Sequence, residues 1–356
     1  MASASGFSSV QCSNVETDGH SLPCRTTSFY RALADTADPA RDPIAAQFVP
    51  RPEEQQHEDY ESPDPLADRR FAVCERLIHR YPDRVLLLTT DTCAVYCRHC
   101  FRRHFTGGRR GAPTAQEMDN VLAYITKNPG VQEILLSGGD PLTLSDSQLA
   151  VILNGIRTAR PDMIVRICSR IPVVNPSRIS ETTARMLAGG HDAEHDPEHD
   201  AEHDADHGAA GTWFVTHVNH PREVSPAFIS AIRLLMRFGI PVLNQAVLLR
   251  GINDDIDTLE ELFRALYRAG VKPYYLLQTD LAAGTYHFRV PISQGIVLIQ
   301  ELRRRLSGPA VPVYALDLPG GGGKVPIESA LLRLEPSAYV FRGPDGLEYS
   351  YPRAAE

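Results

Sequence analysis

Seven short apolar runs, rich in Val, Ile and Leu, recur along this chain, each set off from the next by a stretch of helical periodicity. They are RVLLLTT at 84–90, EILLS at 133–137, IVRICS at 164–169, TWFVTHV at 212–218, PVLNQAVLL at 241–249, PYYLLQT at 273–279 and VPVYALD at 311–317. Between them lie AQEMDNVLAYITKN, SDSQLAVILNGIRTA, PAFISAIRLLMRFG and DTLEELFRALYRAG. Near-continuous apolar runs suit strands buried on both faces, and parallel strands need helical crossovers of fixed hand. Capping chemistry agrees. Thr114 stands three residues before Glu117, and Gly239 and Gly270 close two helices ahead of the next strand. The pattern predicts an α/β fold built as a parallel (β/α) barrel, whose chemistry gathers at the C-terminal ends of the strands.

The flanks read differently. Residues 1–66 form a polar N-terminal segment, helical or irregular, in which Cys12 and Cys24 read as thiols without partners. From Asp68 to Arg80 the spacing of Phe71, Cys74, Leu77 and Ile78 predicts an amphipathic helix with Cys74 in the core. The barrel is expected over 67–324, and 325–356 is an extension with a β-hairpin around Gly343-Pro344-Asp345-Gly346.

Charge gives no hint of a macromolecular partner. The net charge of −8 arises within HDAEHDPEHDAEHDADH at 191–207, which holds eight carboxylates and no Lys or Arg. Without them the acidic total of 44 falls to 36, equal to Lys plus Arg at 36. The body is therefore neutral, so neither nucleic acid nor a membrane is expected as partner. The repeat, an insertion at 190–210, puts five histidines at a spacing of four. That spacing could buffer metal weakly, but Pro197 interrupts any helix and the block reads as a solvated loop. The N-terminus lacks a basic stretch followed by an apolar one, and no run approaches eighteen apolar residues. A cytoplasmic protein is expected. Three of the seven cysteines crowd into eight residues, which suits a metal site rather than a disulfide framework.

That crowd is Cys93-Ala-Val-Tyr-Cys97-Arg-His-Cys100, directly after the first barrel run. Three thiolates on a tight loop can hold three irons of a four-iron cluster and leave the fourth open to a small molecule. A closed structural zinc site wants four ligands, and His99 would have to strain a loop already committed through Cys100. The spacing is the signature of the radical S-adenosylmethionine superfamily, which this chain resembles. The resemblance implies a partial barrel of the radical SAM type, a [4Fe-4S] cluster on Cys93, Cys97 and Cys100, and S-adenosylmethionine cleaved to a 5′-deoxyadenosyl radical. It also implies that the turn Ser137-Gly138-Gly139-Asp140-Pro141, after EILL, receives the methionyl amine through Gly138, Gly139 and Asp140.

Asp317-Leu-Pro-Gly320-Gly321-Gly322-Gly323-Lys324 follows the last run. Taken alone, it reads as a flexible loop ending in a solvated lysine. Yet glycines let the backbone approach a ligand, and an amine held at a barrel mouth can form a Schiff base. In order, CRHCFRR, SGGDPL, NHP, NQAVLLRGIND and PGGGGK are similar to the lysine 2,3-aminomutase family from about Tyr81 to Tyr351. The resemblance implies pyridoxal phosphate on Lys324, its phosphate held by Arg84 of YPDR, and Gln245 lining the S-adenosylmethionine site. It implies a substrate carboxylate gripped by Arg102 and an ε-ammonium held between Asp280 and Asp317. Two buried carboxylates repel unless a cation lies between them, which favours lysine over glutamate; arginine also meets that condition.

The expected activity is interconversion of L-lysine and β-lysine by a radical mechanism on the pyridoxal phosphate Schiff base. Rival readings are the same chemistry supplying β-lysine to elongation factor P, a glutamate or arginine 2,3-aminomutase, and a non-catalytic metal-handling protein. A reducing partner such as flavodoxin or ferredoxin is implied, and a homo-oligomer is allowed. Leu277 stands where the family often has tyrosine. No cysteine follows Cys168, which reads as a strand-end core residue, so no structural zinc is expected.

Overall fold

The computed structural model describes residues 22–108, 110–189 and 211–353, together with the strand residues Ser9 and Val10. Ten strands form one sheet among these residues. They are β1 (Ala72–Cys74), β2 (Leu77–Tyr81), β3 (Arg84–Thr90), β4 (Glu133–Gly138), β5 (Ile164–Cys168), β6 (Thr212–Thr216), β7 (Val242–Val247), β8 (Lys272–Leu277), β9 (Val313–Leu318) and β10 (Gly323–Pro326). Their spatial order follows the sequence from β1 to β10. β3 through β9 pair in parallel, whereas β1, β2 and β10 run antiparallel at the two ends. The edge strands β1 and β10 do not pair with each other among the described residues, so the barrel is open on that side. All seven apolar runs are strands, as their composition predicts.

The crossovers are α1 (Ala115–Lys127), α2 (Asp146–Ala159), α3 (Glu181–Ala188), α4 (Pro226–Arg237), α5 (Ile256–Arg268) and α6 (Ile292–Arg305). α1 starts on the expected capping box: the Glu117 amide donates to Thr114 Oγ1 at 3.2 Å, and the Thr114 amide donates to Glu117 Oε2 at 2.7 Å. Such a cap contributes about 1 kcal/mol. Gly239 and Gly270 take φ of 73° and 83°, the left-handed conformation that lets the chain leave α4 and α5.

Alternation along the strands separates core from channel. On β4, Ile134 and Leu136 are fully buried under the helices while Ser137 borders the internal cavity; on β5, Val165 and Ile167 face the core and Cys168 the cavity. A period of two puts alternate residues on opposite faces, so β4 and β5 each supply both a wall for the core and a wall for the site.

Two expectations are corrected. The stretch 68–80 is not a helix: a 3-10 turn at Asp68–Phe71 leads into β1 and β2. Its apolar spacing fits helix and hairpin alike, and pairing with the free edge of β3 decides between them. Cys24 is disulfide-bonded rather than a lone thiol; sequence spacing alone gives no sign of such a pairing. Arg84 opens β3, as its apolar run predicts, so the phosphate-binding candidate sits at the opposite end of β3 from the cysteine loop.

The segment before the barrel is not a loose tail, since Tyr30, Ile44, Ala45 and Phe48 join the main core. At the other end, β12 (Ala338–Arg342) and β13 (Glu348–Pro352) make the expected hairpin, with a further strand β11 (Leu331–Leu334) beside β12. Tyr339, Phe341 and Tyr351 pin this sheet to the core. The repeat at 190–210, Cys12 and most of the first twenty-one residues lie outside the described residues. No helix among the described residues is long and apolar enough to cross a membrane.

Candidate active site

One cavity opens at the C-terminal ends of the parallel strands. Cys93, Cys97, Cys100 and Arg102 border it from the loop after β3, Gly138, Gly139 and Asp140 from the turn after β4, Gln245 from β7 and Asp280 from beyond β8. Nine of the residues singled out in the sequence therefore meet around a single space.

The three thiols are free of disulfides. Burial, with mutual repulsion as a lesser cause, pushes the Cys93 and Cys100 thiols above their ordinary range. Such thiols ionise only beside a compensating cation. Their spacing bears on which cation. Among the described residues only Asp64, Asp68 and His104 bring three ligand atoms within 4.8 Å of one another, so the three sulfurs are spread more widely than that. A single tetrahedral zinc with bonds of about 2.3 Å would draw its sulfurs closer together. A multi-iron cluster fits the wider spread.

The glycine turn packs tightly against this loop. A Cβ on Gly138 would land on the Thr90 carbonyl oxygen and one on Gly139 on that of Thr92, and Gly138 holds φ of 117°. Only glycine brings the backbone this near the cysteine loop. Asp140 is fully engaged by the protein. Its Oδ1 accepts from Ser169 Oγ at 2.6 Å and the Leu142 amide at 3.0 Å, and Oδ2 accepts from the Arg170 amide at 2.8 Å. It therefore fixes the turn while the backbone faces the cavity.

The second half of the site is electrostatic. The glycine run makes a turn, with Gly320, Gly321 and Gly323 at positive φ, and β10 returns antiparallel to β9 so that Lys324 pairs in register with Asp317. The Lys324 ammonium bonds to the Asp317 carboxylate and lies 5.2 Å from the Tyr275 ring. Arg80 Nη2 is 3.8 Å from Asp317 Oδ1. Asp280 is pushed up to about 7, first by burial and then by the Asp317 charge, against the pull of Lys324, Arg80 and Arg102. Asp280 thus borders the cysteine cavity while sharing a field with Lys324. The two halves are contiguous. Arg84 is further away: its guanidinium stacks 3.8 Å over the Tyr81 ring, and the Tyr81 hydroxyl accepts from the Lys324 amide at 2.8 Å.

Several cavity residues were not legible in advance. Arg170 donates to Cys97 Sγ at 2.7 Å and is itself held by Glu223, Gln47 and the Tyr30 hydroxyl, all buried. Its position just past β5 is the available signal, because charged residues at strand ends of such barrels are candidates. His99 and His217 stack with Nε2 atoms 3.1 Å apart, and burial holds His217 down at about 3. Cys168, expected in the core, borders the cavity instead, where burial raises its thiol to about 11.

Comparison with known proteins agrees with this geometry. Residues 87–266 match the model of the Radical SAM superfamily. The chain is 39% identical to L-lysine 2,3-aminomutase of Fusobacterium nucleatum over 348 residues, covering 96% of this chain and 77% of that one. It is 41% identical to L-lysine 2,3-aminomutase of Clostridium subterminale, covering 86% of this chain and 69% of the relative. Identity to glutamate 2,3-aminomutase of Clostridioides difficile is lower, 33%, over 88% of this chain and 69% of that one. With the cysteine loop bordering the cavity and the glycine-borne Lys324 acting on Asp280 of its wall, the chain belongs to the lysine 2,3-aminomutase family of the radical SAM superfamily.

Proposed function

We propose that this protein is an L-lysine 2,3-aminomutase whose substrate lies between the cysteine loop and Lys324. Membership of the superfamily implies a [4Fe-4S] cluster and S-adenosylmethionine; pyridoxal phosphate completes the set in this reading. When bound, these groups supply hydrogen abstraction and an imine through which nitrogen can migrate between carbons. The protein's residues position and balance charge. Cys93, Cys97 and Cys100 are the cluster ligands, Gly138 and Gly139 offer backbone to S-adenosylmethionine, and Gln245 lies along the same wall. Lys324 is the attachment point for pyridoxal phosphate, with Arg84 as the partner for its phosphate.

The observation that carries the substrate is the aspartate pair. The Asp317 charge helps to raise Asp280, and Lys324 offsets that repulsion by bonding Asp317. Once Lys324 is engaged by its cofactor, the pair needs another cation, which the ε-ammonium of lysine provides. At the other end of the substrate, Arg102 borders the cavity as the partner for the α-carboxylate. A neutral or anionic tail, as in glutamate, leaves the pair only the more distant Arg80 and Arg102 charges to offset its repulsion. The reading includes an external reducing protein such as flavodoxin or ferredoxin.

Borohydride reduction of the reconstituted enzyme, followed by peptide mass spectrometry, tests the attachment. A phosphopyridoxyl group on Lys324 is expected. The same group on any other lysine, with Lys324 unmodified, would refute the assignment.

A further inference from the structure

The stretch 62–68, which closes the polar N-terminal segment, makes contacts that the proposed function leaves unused. Ser62 donates its amide to the Leu281 carbonyl at 2.8 Å and accepts from the Ala283 amide at 3.1 Å, next to Asp280. Pro65 accepts from the Gly320 amide at 3.1 Å, on the run that leads to Lys324. Asp68 Oδ2 accepts from Arg102 Nε at 2.8 Å, and both side chains are buried. The seven-residue strap 62–68 is thus bonded beside Asp280, to the run that leads to Lys324 and to Arg102.

The strap is shaped to present Asp68. Asp64 staples the turn, its carboxylate accepting from the Asp68 amide at 2.9 Å and the Arg69 amide at 3.1 Å. Ala67, just before Asp68, has φ of 54° and is the only non-glycine residue at positive φ among the described residues. An alanine held there is disfavoured, and such conformations persist where surrounding contacts over-determine them. The bond also occupies a particular nitrogen. Asp68 takes Nε, while an end-on grip of a carboxylate uses Nη1 and Nη2. Nη1 stands 3.5 Å from Ser137 Oγ, on the cavity wall.

We propose that Asp68 is a positioning residue that fixes the Arg102 guanidinium, end outward, for the α-carboxylate of the amino-acid substrate. This deepens the reading of Arg102 as the carboxylate grip and rests on it. Asp68 does not touch the substrate; it sets the angle and charge of the residue that does.

The test is calorimetric titration of the full chain, reconstituted with iron, sulfide and pyridoxal phosphate, with L-lysine and with 1,5-diaminopentane, which lacks the carboxylate. Asp68→Asn should weaken lysine about tenfold or more, the scale of a lost charged hydrogen bond, and leave the diamine within about twofold. Asp68→Glu should recover lysine binding in part, and Asp64→Asn should show a smaller loss of the same selectivity. Combined with Arg102→Ala, Asp68→Asn should add nothing further, because both act through one grip. Equal weakening of both ligands by Asp68→Asn would mark a merely structural ion pair and overturn the proposal. If Arg102→Ala weakens lysine and Asp68→Asn does not, this inference alone falls. If Arg102→Ala leaves lysine binding intact, the carboxylate-grip reading falls and takes this inference with it.

Discussion

Replacing Asp280 with asparagine should make the cofactor-free protein more stable while weakening its affinity for lysine. The magnitude follows from the carboxyl's displacement from an ordinary 3.8 to about 7. The cause is first burial and then repulsion by Asp317. Below about pH 4 the group is protonated in both folded and unfolded chains and contributes nothing. As pH rises toward 7 the unfolded chain ionises while the folded one resists, so folding loses stability across that window. At roughly 1.4 kcal/mol per pH unit, the loss near neutrality reaches at most about 4 kcal/mol, and contact with cavity water reduces it to about 1–3 kcal/mol. Thermal unfolding of the apoprotein and Asp280→Asn at pH 5 and pH 7.5 measures this. The variant should unfold at a higher temperature, by a margin that widens at pH 7.5. No gain, or the same gain at both pH values, would refute the picture of two carboxylates awaiting a cation.

Lysine binding should strengthen with pH through the same group. At pH 6 the dissociation constant should be about tenfold weaker than at pH 8, with proton release on binding, and Asp280→Asn should flatten the profile; titration calorimetry in buffers of different ionisation heat checks it. Gly139→Ala places a Cβ on the Thr92 carbonyl, so S-adenosylmethionine binding should fall by at least about tenfold, the order of an overpacking penalty, while iron content stays near normal. Cys97→Ala should lower bound iron sharply and leave the pyridoxal phosphate absorbance in place, read by iron analysis and visible spectra. Deleting 190–210 should leave turnover within about twofold, as follows if the repeat is the solvated loop its sequence predicts; a large loss would show that the histidine repeat takes part.

Much of this was legible because strand and motif signals are local. β3 matches its apolar run residue for residue, and the chemistry of Cys93, Cys97 and Cys100 follows from their spacing on one loop. Lys324 was singled out only through the resemblance that PGGGGK carries, since the glycine run taken alone reads as a flexible loop. What stayed hidden depended on distant partners. Nothing near Asp68 announces that it will meet Arg102, and the same spacing that suggested a helix at 68–80 serves a hairpin once β3 offers an unpaired edge. Arg170 is similar: its role beside Cys97 rests on Glu223, Gln47 and Tyr30, which converge only in the folded chain. Cys168 looked like core because alternation does not say which face of a barrel strand meets packing and which meets a cavity.

The most direct test of the account is turnover by the anaerobically reconstituted enzyme, supplied with dithionite, S-adenosylmethionine, pyridoxal phosphate and isotopically labelled L-lysine, L-arginine or L-glutamate. The account predicts a β-amino acid from lysine well ahead of the other two, lost in Lys324→Ala and in Cys97→Ala. Faster conversion of glutamate, or lysine turnover that survives either substitution, would contradict it.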